Sequence, residues 1–118
     1  MKRFKNYQYV FGKMSERDKQ EIGSKFWNEG KFENFVLPFL PDNCRGMTFV
    51  DMGCNHGIFL KMAEDKGFKR VVGVESNKTV VRKAREWRKL NGGNYEIKRL
   101  FIEHCIHELP VADYTVLA

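Results

Sequence analysis

Cysteine is scarce: Cys44, Cys54 and Cys105 are the three in 118 residues, odd in number, widely spaced and without a Cys-x-x-Cys pair. A disulfide framework is thereby excluded, no zinc or other metal site is suggested, and reduced thiols are expected. No apolar run approaches the roughly 18 residues of a membrane span. The start, Met1-Lys2-Arg3-Phe4-Lys5-Asn6, leads into polar sequence instead of an apolar signal core, so no membrane contact and a cytoplasmic location are expected. Internal repeats and low-complexity tracts are also missing. Aromatic residues, by contrast, are plentiful. Ten Phe, four Tyr and two Trp within a 42% hydrophobic composition are too much apolar material for a disordered chain. The length suits one compact core and is too short for two full domains. The formal charge of +6 permits an acidic partner such as RNA without selecting one, because net charge bears on association and not on fold.

Residues 1–14 mix Lys, Arg and Asn with Phe4, Tyr7, Tyr9 and Phe11 and read as a loose arm. Ser15 with Asp18 resembles a capping box, and Ile22 and Phe26 share one face of a helix over 16–29 that Gly30 can end. Phe32, Phe35, Val36, Phe39 and Leu40 repeat at helical spacing, but Pro38 would cost a helix interior about 3 kcal/mol, so a short helix should end or kink there. Pro41, Asp42, Asn43 and Gly46 make a turn-rich connector.

From Thr48 the period changes. The run Thr48 to Met52, stopped by Gly53, reads as a buried strand, and the stripe Ile58, Phe59, Met62, Ala63 as a helix ended by Gly67. Arg70 to Glu75 is a second buried strand. Asn77 can cap a second helix carrying Val80, Val81, Ala84, Trp87 and Asn91 on one side, stopped by Gly92-Gly93. A third strand is expected from Tyr95 to Ile102 and a fourth from Asp113 to Leu117. Alternating strands and helices predict an α/β, Rossmann-like three-layer parallel sheet with strands in the order three, two, one, four. Residues 1–46 would form a helical cap segment and residues 47–118 the Rossmann-like domain.

The turn after the first strand, Asp51-Met52-Gly53-Cys54-Asn55-His56-Gly57, carries the chemistry. Glycine there lets the backbone reverse and lets a ligand approach the peptide plane, while the helix start presents N–H groups to an anion. Glu75 ends the second strand, where a carboxylate can accept hydrogen bonds from two ribose hydroxyls. Strand end, glycine turn and acidic strand end together make a nucleotide-type cradle.

This stretch resembles motif I of the class I S-adenosylmethionine-dependent methyltransferases in a D-x-G-C-N-x-G form, and Val72-Gly73-Val74-Glu75 is similar to their acidic second-strand motif. Glu108-Leu109-Pro110 and Asp113 to Leu117 resemble the entry into the fourth strand, so the chain corresponds to the cofactor-binding, amino-terminal half of that fold. The resemblance implies S-adenosylmethionine as cofactor. Asp51 would hold its amino group, Met52, Gly53, Cys54, Asn55 and Gly57 would form the turn around it, and Glu75, with Ser76 beside it, would take the ribose. The acidic residue that family members often place before a Leu-Pro falls here on Cys105; either Glu103 substitutes or the backbone near Ile106 holds adenine.

His56 could touch the cofactor's carboxylate, but a helix-start role is favoured. Lys78, Arg82, Arg85 and Lys89 make a basic stripe, read as a solvated face in preference to an RNA site. Acceptor-positioning residues in this family commonly follow the fourth strand, so no catalytic residue is nominated and the methyl acceptor stays open among sugar, small metabolite and RNA. A non-catalytic cofactor-binding or scaffold subunit and a small basic RNA-binding module are the alternatives. The edge of the fourth strand, with Val111, Val116 and Leu117, predicts self-association or pairing with a missing carboxyl-terminal half.

Overall fold

The structure, a computed structural model, describes residues 32–117; the expected arm over 1–14 and helix over 16–29 lie outside the described residues. Four strands form one parallel sheet: β1 (Thr48–Met52), β2 (Arg70–Val74), β3 (Glu96–Lys98) and β4 (Tyr114–Leu117). Their spatial order is β3-β2-β1-β4, as the strand–helix alternation predicts. Helix α1 (Ile58–Lys66) connects β1 to β2 and α2 (Lys78–Asn91) connects β2 to β3. Both helices stop where the sequence says they should. Gly67 and Gly92 close them in left-handed conformations, and the Asn77 side chain caps α2 by accepting the Val80 N–H at 3.0 Å.

β2 is buried from Val71 to Val74, which explains its unbroken apolar run: a parallel strand covered on both faces has no solvent side on which to alternate. On one face Phe49, Val71 and Ile97 join the core with α1 and α2, where Leu60, Met62, Ala63, Ala84 and Trp87 are fully buried. On the other, Val50, Val72 and Val74 are just as deeply covered. An aromatic chain fills the amino-terminal end of this sheet. Phe32 packs on Phe59 and Phe49, Phe49 on Phe68, and Phe68 on Tyr114, with ring centroids 5.2–6.4 Å apart.

Two expectations need correction. The third strand does not reach Ile102 but ends at Lys98. Its last ladder bond runs from the Glu75 N–H to the Lys98 carbonyl at 3.0 Å; beyond Glu75 its neighbour turns into α2, so Arg99 onward has nothing to pair with. A 3-10 turn over Ile102–His107 follows. The Phe32 to Leu40 helix is also irregular: a π turn over Phe32–Val36 passes into a 3-10 turn over Leu37–Phe39. Pro38 falls in the first turn of that second piece, where its missing N–H breaks nothing.

The two sheet edges differ. Arg88 and Arg85 donate to the carbonyls of Tyr95 (2.9 Å) and Ile97 (3.1 Å), so helix α2 covers polar groups of β3 with its own side chains. At β4, Leu117 is 69% exposed and Val111, just before the strand, 95%.

Gly73 holds β2 against the turn that follows β1. A Cβ placed there would run into Leu60 Cδ1 and lie 2.7 Å from Cys54 Sγ. Gly73→Ala is therefore expected to lower unfolding stability by about 1–3 kcal/mol, read from urea denaturation of the 118-residue chain. An unchanged midpoint would contradict this packing.

Candidate functional site

All four strands run in one direction, so their carboxyl ends share an edge of the sheet, and there the candidate residues meet. Asp51 is the fourth residue of β1, on the same face as Phe49, with Gly73 of β2 and Val116 of β4 as its register partners. It is only 3% exposed, and its Oδ1 has no hydrogen-bond partner among the described residues. Burial, reinforced by the negative Glu75 nearby, pushes its carboxyl up to about 7. A buried carboxylate oxygen with nothing bound to it is expensive unless it is neutral or meets a cation.

The turn that follows is built from β2. The Val74 carbonyl accepts the N–H groups of both Gly53 and Cys54 at 2.9 Å. Glu75 continues the pattern, with Oε1 accepting the Asn55 N–H at 3.1 Å and Oε2 the Asn77 N–H at 3.0 Å. Gly53 (φ 82°), Asn55 (φ 51°) and Gly57 (φ 90°) all adopt the left-handed region, which glycine enters freely and asparagine tolerates. Nothing lies within 4 Å of where a Gly53 Cβ would be, so the turn is open on that side.

The amides of Gly53, Cys54 and Asn55 are thus bonded within the protein. The helix start offers more: Gly57 caps α1 without any side-chain hydrogen bond. Cys54 is buried against Gly73, and burial raises its thiol above the ordinary range, which disfavours the thiolate. His56 is also buried within the turn. Met52 ends β1, half-buried.

Ser76 is drawn in, its carbonyl accepting Arg99 Nε at 3.3 Å. Glu103 is exposed on the 3-10 turn beyond β3, and Ile106 lies on the same turn with its side chain outside the described ones. No hydrogen bond joins Glu103 to the Asp51–Glu75 group among the described residues. His104 and His107 are exposed on that turn, and among the described residues no three His, Cys, Asp or Glu side chains gather into a metal site.

Sequence reasoning missed the supports beneath the turn. Tyr95 lies under Gly57, within 3.6 Å of where that residue's Cβ would be, and its hydroxyl accepts from Asn91 Nδ2 at 3.0 Å. Glu64 on α1 accepts the N–H groups of Asn94 (2.8 Å) and Tyr95 (3.3 Å), fastening the loop before β3. The basic stripe on α2 is partly spent: Arg82 pairs with Glu86 at 2.9 Å, and Arg85 serves β3. A shallow hollow of ≈ 100 Å³ between Glu64, Lys69, Arg70 and Glu96 opens at the opposite end of the sheet, away from these groups.

Residues 26–112 match a family described as a methyltransferase domain. Among solved structures, the chain is similar to a putative S-adenosylmethionine-dependent methyltransferase from Listeria monocytogenes, with TM-score 0.59, 20% identity, and coverage of 74% of this chain and 39% of that one. It is similar to an S-adenosylmethionine-dependent methyltransferase from Clostridium acetobutylicum at TM-score 0.52 and 15% identity, covering 95% of this chain and 42% of that one. The Trypanosoma brucei PRMT1 enzyme-prozyme complex with AdoHcy matches at TM-score 0.52 and 22% identity, covering 63% and 24%. The chain therefore spans less than half the length of each. No curated protein matches it in sequence.

The raised carboxyl of Asp51 has a sign that can be checked. Its folded-state value of about 7 lies above the ordinary 3.8, so the stability tied to its protonated form is complete below about pH 4 and is lost as pH rises through about 7. Asp51→Asn removes that loss. Its melting temperature relative to the parent chain is expected to rise between about pH 4 and pH 7 and then level off, with each kcal/mol worth about 4 °C. A difference that stays flat with pH would contradict the burial of a titrating Asp51.

Proposed function

The chain belongs to the family of methyltransferase domains, and from that premise we propose that the carboxyl ends of β1 and β2 bind S-adenosylmethionine and that the whole protein transfers its methyl group to an acceptor. The observation that carries this reading is the Asp51 carboxylate, buried with one oxygen unpartnered beside an open glycine turn. An ammonium group is the partner such an oxygen lacks. Glu75 fits the ribose, because a carboxylate offers about four acceptor positions and only two are taken by Asn55 and Asn77. The solved AdoHcy complex among the similar folds supports the same ligand class.

Bound there, S-adenosylmethionine supplies an electrophilic methyl on a sulfonium centre for in-line displacement. The residues of this chain anchor the carrier at separate points. Asp51 would neutralise the amino group, the turn from Met52 to Gly57 would border the methionine end, and Glu75 with Ser76 would take the ribose. Glu103, or the backbone near Ile106, borders the adenine. Such anchoring supplies the alignment on which displacement depends. Exposed Leu117 and Val111 beside the outer edge of β4 support pairing of further polypeptide at that side. Engagement of Arg82 and Arg85 in internal bonds supports a reading without a nucleic-acid footprint on α2.

Calorimetric titration with S-adenosylhomocysteine tests the site. Because the ammonium prefers an ionised Asp51, affinity is expected to rise about tenfold from pH 6 to pH 8 and to flatten above, as the fraction ionised around a value of about 7 requires. Asp51→Asn should weaken binding and abolish that slope. No binding at either pH would overturn the proposal.

A further inference from the structure

Glu75 does something in the ligand-free chain that ribose binding does not call for. Its two oxygens accept backbone N–H groups from residues on opposite sides of the site: Asn55, in the turn after β1, and Asn77, which caps α2. Asn55 sits at φ 51°, the left-handed region that asparagine tolerates but glycine enters at lower cost. The other contacts of Asn55 are long: its Nδ2 donates to the Gly53 carbonyl at 3.4 Å and its carbonyl accepts from Cys54 Sγ at 3.7 Å. The backbone from Gly53 to Asn55 therefore hangs from two successive residues of the second strand's end, Val74 through its carbonyl and Glu75 through its side chain.

We propose that Glu75 is a positioning residue for the cofactor turn as well as a ribose ligand: its carboxylate fixes Asn55 and the start of α2 before any ligand arrives. One lone pair on each oxygen is committed to the protein and one on each is left for a ribose hydroxyl, so the same side chain that would recognise the sugar also sets the backbone around it. The link to ligand affinity rests on the cofactor reading above, whereas the hold on the turn exists in the free chain. Two consequences separate this role from plain ribose binding. Loss of Glu75 weakens ligands that have no ribose hydroxyls, and a residue that adopts the left-handed conformation unaided at position 55 compensates for part of that loss.

Residue-resolved amide hydrogen exchange on the ligand-free chain tests the hold directly. In Glu75→Ala the amides of Asn55 and Asn77 are expected to exchange about tenfold or more faster, with the amides of β1 and β2 unchanged. In Glu75→Gln, which keeps one acceptor oxygen, one of the two should remain protected; this variant reads the effect should the Ala variant fail to fold. Calorimetry then uses two probes, S-adenosylhomocysteine and its 2′,3′-dideoxy analogue. Glu75→Ala is expected to weaken the dideoxy analogue several-fold, and Asn55→Gly in that background to recover most of the loss. Unchanged exchange at both amides in Glu75→Ala, or a dideoxy affinity indifferent to Glu75, would overturn the positioning role. Failure of both probes to bind the parent chain would instead sink the cofactor reading, leaving the exchange result to decide whether Glu75 holds the turn.

Discussion

Burying the Asp51 carboxylate at the end of a parallel strand is the constraint around which the other groups at this edge are arranged. A carboxylate 3% exposed with an unpartnered oxygen is a cost that folding alone would not select. Around it the protein leaves out bulk: Gly73 stands beside it on β2, and Gly53 turns the chain away immediately after β1. Because Gly73 has no side chain, Cys54 and Leu60 pack onto β2 and bring the turn and helix α1 down against the strand. A second negative group, Glu75, stands close enough to raise the Asp51 carboxyl further, and two carboxyl groups so placed favour a cation between them.

One sheet carries both the apolar core and the polar groups at the carboxyl ends of its strands. The aromatic chain from Phe32 to Tyr114 and the buried valines of β2 supply the apolar burial that holds the sheet together. Glu64, Tyr95 and Asn91 tie the loop before β3 to α1 and to the underside of Gly57. With those supports in place the turn can carry left-handed residues and an unpartnered carboxylate without losing its shape. Such strained, under-satisfied groups persist where the surrounding structure over-determines them.

Much of this was legible in the sequence. The glycines at 53, 67 and 92, the Asn77 cap and the apolar runs of β1 and β2 gave the strand and helix limits, because each acts through local backbone preference or simple burial. The nearness of Asp51 and Glu75 was legible because both lie at the carboxyl ends of adjacent strands, one residue before the end of β1 and one after the end of β2. Less visible were features set by the partner and not by the residue: β3 stops at Lys98 because β2 turns away, although Tyr95 to Ile102 looks strand-like by itself. Likewise Lys61 is buried and pairs with Asp65 at 2.9 Å, on a face that polarity alone would assign to solvent. The use of Glu75 as a clamp on two backbone amides depends on a turn geometry that no spacing encodes.

The central claim is that one edge of the sheet, built by the ends of β1 and β2, is the ligand site. Amide NMR of the isotope-labelled 118-residue chain titrated with S-adenosylhomocysteine tests it most directly. Shifts are expected to concentrate at Asp51 to Gly57 and Glu75 to Asn77, with Phe68 to Arg70 and Asn94 to Glu96 at the opposite end unmoved. Shifts centred on that opposite end, or none at saturating ligand, would contradict it.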